Sequence, residues 1–84
     1  MMIQECIEEM KHKGGAEGAA EFIRCIKRHK EEVYWDEELG RLKVAAEVWQ
    51  DGWEDLMREV TAKLGITDRN SYIAVKNKYN LTMY

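Results

Sequence analysis

Two cysteines and two histidines are the residues of this 84-residue chain best suited to hold a metal. Cys25 and His29 stand four apart, about one helical turn, a spacing at which a thiolate and an imidazole can share a Zn²⁺ ion. Cys6 and His12 are six apart, which sets them on different sides of a helix. The four specify a site poorly, so no metal and no cofactor is expected. Acidic pairs at i,i+3 occur at Glu5–Glu8 and Asp51–Glu54, and exposed helix faces account for both. The chain has no Gly-rich phosphate loop, no Gly-x-Ser-x-Gly elbow and no His-Glu-x-x-His helix. The expectation is a protein that binds rather than catalyses.

Two binding chemistries compete. Trp49 and Trp53 lie four apart, and tryptophan is enriched at the centres of protein interfaces because it buries a large area. With Leu42 and Leu56 they form an apolar edge on which a small adaptor, regulator or inhibitor would capture a protein partner. The other chemistry comes from charge. Residues 1–60 carry 9 bases and 15 acids, whereas residues 61–84 carry 4 bases and 1 acid. The basic end follows "LGIT", a glycine-containing turn of the length found in helix-turn-helix units. Residues 66–79 therefore make a candidate nucleic-acid reader, with Arg69, Asn70, Lys76 and Lys78 as its contacts and Tyr72, Asn77 and Tyr79 beside them. Four bases are few for phosphate neutralisation. The protein-interaction reading leads at this point, with the small DNA-binding regulator as the alternative.

The elements that must position these residues read as helices. The chain has no proline and is rich in Ala, Glu, Lys, Met and Leu, which predicts a single all-α domain over residues 1–84, a bundle of three to four helices. Ile3, Cys6, Ile7 and Met10 set a first helix, which Gly14 and Gly15 end. A second is expected from Ala16 to about Tyr34, carrying Lys27–Glu31 and Arg28–Glu32 at i,i+4. Leu39, Leu42, Ala46, Trp49, Trp53, Leu56 and Val60 then fall at steps of three and four, the repeat of a packed helical seam. That repeat predicts one long helix over 36–64, continuous through Gly52, with Glu37–Arg41, Glu54–Arg58 and Glu59–Lys63 on its outer faces. A helix that long spans about 43 Å and overhangs a compact domain of this size. A homodimer is the simplest cover for the overhang. A short C-terminal helix from about Arg69 to Asn80 completes the bundle. No apolar stretch reaches membrane-spanning length and the N-terminus lacks a secretory pattern, so a cytoplasmic protein with reduced cysteines is expected.

Overall fold

The computed structural model describes residues 3–45 and 52–83. Helices α1 (Ile3–Lys13) and α2 (Gly15–Arg28) form an antiparallel pair joined through Gly14. Gly14 and Gly15 adopt φ of +74° and +59°, left-handed values that a Cβ would oppose. The Gly14 N–H closes α1 by donating to the Met10 carbonyl at 2.9 Å. Ala19, Phe22, Ile23 and Ile26 on α2 are fully buried, and Met10 and Cys6 of α1 join them. The thiols expected to be reduced are instead bonded to each other. The helix pair brings the Cα atoms of Cys6 and Cys25 to 5.4 Å, within the range that a disulfide spans.

The fold is not all-α. Helix α2 stops at Arg28 instead of reaching Tyr34, and Lys30 at φ +64° turns the chain away. Strands β1 (Val33–Asp36) and β2 (Arg41–Val44) follow as an antiparallel hairpin, with Val33 opposite Val44 and Asp36 opposite Arg41. The β-branched and aromatic residues of "VYW" suit a pleated, half-buried strand better than a helix end. Asp36 builds the hairpin loop. Its carboxylate accepts the Leu39 N–H at 2.8 Å and its carbonyl accepts the Gly40 N–H at 2.9 Å, while Gly40 takes φ +64°.

The long helix over 36–64 is therefore replaced by two separate elements. Its beginning is the hairpin, and its end is helix α3 (Trp53–Lys63). Gly52, at φ +82°, sits in front of α3 in a conformation no right-handed helix contains. Ala46 and Trp49 of the expected seam lie outside the described residues. Helix α3 is about 16 Å long, by its 11 residues. The body it belongs to measures 28 × 26 × 22 Å. No described helix overhangs, so the argument from length to a homodimer falls with the helix.

Helix α3 packs on β2 and α2. The Leu42 N–H donates to Thr61 Oγ1 at 3.0 Å, and that hydroxyl donates to the Met57 carbonyl at 2.7 Å. Arg41 is only 2% exposed; it donates to Glu54 Oε1 at 3.0 Å and to the Leu42 carbonyl at 2.8 Å. This contact stands where a helical Glu37–Arg41 pair was expected. The other two expected pairs do form, Arg58–Glu54 at 2.6 Å and Lys63–Glu59 at 2.9 Å. Helix α4 (Arg69–Lys78) and a 3-10 turn (Leu81–Met83) close the chain over α2, where Leu81 is fully buried. Among the described residues, no helix is long and apolar enough to cross a membrane.

Candidate nucleic-acid interface

The turn between α3 and α4 is fixed at both ends. Gly65 at φ +71° donates its N–H to the Ala62 carbonyl at 3.0 Å, and the Ile66 N–H reaches back to the Thr61 carbonyl at 3.1 Å. These two bonds are the glycine-dependent helix stop of the Schellman type, with Ile66 buried beside it. Asp68 then starts α4. Its carboxylate accepts the Ser71 N–H at 2.8 Å, and Ser71 Oγ accepts the Asp68 N–H at 3.0 Å, a reciprocal capping box. The Thr67 N–H also donates to Ser71 Oγ at 2.9 Å. The backbone N–H of Ser71, joined by its hydroxyl, holds the Asp68 carboxyl below its ordinary pKa. The cap is thus present at neutral pH, and Asp68→Ala or acidification through the low carboxylate range should fray α4 first, as a loss of helical circular dichroism.

The inner face of α4 is anchored. Tyr72 is buried and its hydroxyl donates to the Val33 carbonyl of β1 at 2.9 Å. Arg24 donates to the Tyr79 carbonyl at 2.7 Å and Lys27 to the Leu81 carbonyl at 2.8 Å, fastening the far end to α2. Burial pushes the Tyr72 phenol up to about 12, against an unfolded value near 10. Stability from this group is complete below pH ~10 and is lost as pH climbs toward 12, because only the unfolded chain ionises readily in that window. Tyr72→Phe should remove that alkaline loss and, at neutral pH, cost about 1–2 kcal/mol through the unpaired Val33 carbonyl. Urea titrations at neutral and alkaline pH read both effects.

The outer face of α4 is a continuous surface. With 3.6 residues per turn, Arg69, Asn70, Ile73, Ala74 and Asn77 point away from the Tyr72–Val75 side, and all five are exposed. Ile73 is 46% exposed, one of two large apolar side chains so placed among the described residues. Lys76 borders this face beside Arg69, and Lys78 borders it on the other side. No acid occurs from Arg69 to the end of the sequence. Lys76 leans over the Tyr72 ring at 4.9 Å and Lys78 over the Tyr79 ring at 5.4 Å. Partial burial and then the nearby Lys76 charge lower the pKa of Lys27, so helix α2 adds a second cation next to α4.

The four nucleic-acid candidates from the sequence thus share one helix, with Arg69, Asn70 and Lys78 exposed and Lys76 half-buried. Tyr72 points inward, and Tyr79 is half-buried. Sequence reasoning missed Ile73 and Ala74, which a helical wheel drawn from Arg69 would have placed outward. It also missed Lys27, which only the fold brings to α4. The protein-binding candidates fare differently. Leu42 is fully buried and Trp53 is 5% exposed, both within the chain's own core. Leu56 is half-buried against that core, and Trp49 lies outside the described residues. No family model, curated protein or solved structure matches the chain.

Proposed function

We propose that the protein is a small, non-catalytic nucleic-acid-binding regulator that reads duplex DNA with the outer face of α4. The observation that carries the reading is that face itself, an acid-free row of Arg69, Asn70, Ile73 and Asn77 on a chain of net charge −3. The side chains match base-edge chemistry. Asparagine can pair with adenine through N6 and N7, an apolar group can meet the thymine methyl, and arginine can fork onto guanine. Lys76 and Lys78 flank the row where phosphates would run and supply the sequence-independent part of binding. The bonded turn and the capping box favour the reading because they hold α4 rigid before any ligand arrives. A protein partner docking on Leu42 and Trp53 would first have to open the core, which favours the α4 face over that edge.

The test is fluorescence anisotropy of a labelled 20-base-pair duplex titrated with protein at two salt concentrations. With about two phosphates neutralised, affinity should fall roughly 12-fold between 50 and 200 mM salt. Lys76→Ala should weaken binding on all sequences and reduce the salt slope by about 1. Asn77→Ala should instead cost about 1–3 kcal/mol on a preferred site and flatten the preference among sequences. A duplex left unbound at 50 mM salt, or outer-face variants that bind like wild type, would refute the assignment.

A further inference from the structure

The Cys6–Cys25 pair sits beside a third ligand that the disulfide does not use. Ligand atoms of Cys6, Cys25 and His29 all lie within 4.8 Å of one another. In a tetrahedral zinc site, bonds of 2.0–2.3 Å place neighbouring ligand atoms about 3.3–3.8 Å apart, so this triangle is within a small adjustment of ligation. Its construction is local. Cys25 and His29 stand one turn apart at the C-terminal end of α2, where His29 is the cap residue. Cys6 faces them from α1, and Glu5 Oε2 lies 3.9 Å from His29 Nε2. Carbonyls at a helix C-terminus and a carboxylate both favour a cation. The sulfurs are buried, but the His29 side chain is 34% exposed and that of Glu5 59%, so the cluster opens to solvent on the imidazole side.

We propose that the reduced protein binds one thiophilic divalent cation of the Zn²⁺ class through Cys6 Sγ, Cys25 Sγ and a His29 ring nitrogen, with the fourth position open to solvent on the imidazole side. The disulfide is the metal-free state of the same site. A dithiol reductant converts the disulfide to the metal-binding form. It gives two electrons and two protons to the Cys6–Cys25 bond, leaving two protein thiols and its own disulfide, and metal binding then releases the two thiol protons. Either bond joins α1 to α2, so one crosslink replaces the other. This site is separate from the α4 surface and stands or falls independently of it.

The experiment uses Co²⁺ as a spectroscopic probe and Zn²⁺ in competition with a chromophoric chelator, on the full chain under dithiothreitol-free anaerobic conditions after reduction. Reduced wild type should bind one equivalent of Co²⁺ with thiolate-to-cobalt charge transfer and the visible bands of a tetrahedral ion, and Zn²⁺ should displace it. The disulfide form, which keeps every carboxylate, should show neither. His29→Gln can be folded as the disulfide and checked by circular dichroism before reduction. It should lower Zn²⁺ affinity at least tenfold. Equal binding by oxidised protein would assign the metal to the exposed acids instead. Absence of thiolate–cobalt absorption in reduced wild type, or unchanged affinity in His29→Gln, would also overturn the proposal.

Discussion

Trp53→Ala should cost about 3–5 kcal/mol of folding stability, the range for deleting a large buried aromatic side chain. The indole opens α3 and is 5% exposed among Met57, Val60 and the other core residues. A chain of 84 residues has roughly 4–13 kcal/mol to lose in total. The variant should therefore lose about a quarter or more of its stability, seen as a large fall in the urea midpoint. Trp53→Phe should keep much of the stability because a ring still fills the site. Molar mass in solution should be the same for wild type and Trp53→Phe. A Trp53→Ala chain that keeps its midpoint but changes its mass would restore tryptophan as an interface residue and contradict its place in the core.

That variant also marks where sequence reasoning lost the fold. Leu42, Trp53, Leu56 and Val60 keep steps compatible with one helical seam, yet Leu42 belongs to a strand and the other three to α3. Two short elements on one core can share that spacing, since each only needs an apolar residue every few positions. The competing signal was present but short. "RLKV" alternates at Leu42 and Val44, both fully buried, and "DEELG" supplies an aspartate and a glycine at the turn positions a hairpin needs. A strand of 4 residues gives period-2 alternation too little length to outweigh a seven-residue repeat. Local chemistry was more legible. Gly65, Asp68 and Ser71 stop one helix and start the next through bonds between near neighbours, and so the α4 candidates could be placed. The disulfide, the Tyr72–Val33 bond and the Lys27–Leu81 bond join positions 19 to 54 apart. Spacing in the sequence carries no record of such contacts.

Gly18→Ala should destabilise the protein although it replaces the second-worst helix former with the best. On propensity alone, alanine inside a helix gains about 1 kcal/mol over glycine. Gly18 has no left-handed backbone to lose, because α2 is regular there. The obstacle is across the pair. A Cβ at this position would strike the backbone carbonyl of Met10, which cannot rotate away as a side-chain tip could. Met10 O is also the acceptor that ends α1 at Gly14, so moving it disturbs the turn. Overpacking of this kind costs typically 1–3 kcal/mol and occasionally more. Backbone contact places Gly18→Ala at or above the top of that range, outweighing the propensity gain. The Cys6–Cys25 bond makes the strain harder to relieve, since it holds α1 against α2 one to two turns away. Reduction frees α1 to pivot. The penalty of Gly18→Ala relative to wild type should therefore be larger with the disulfide intact than with both proteins reduced. Paired urea titrations in oxidising and reducing buffer measure the difference, and a Gly18→Ala protein more stable than wild type in oxidising buffer would mean that the two helices do not approach this closely.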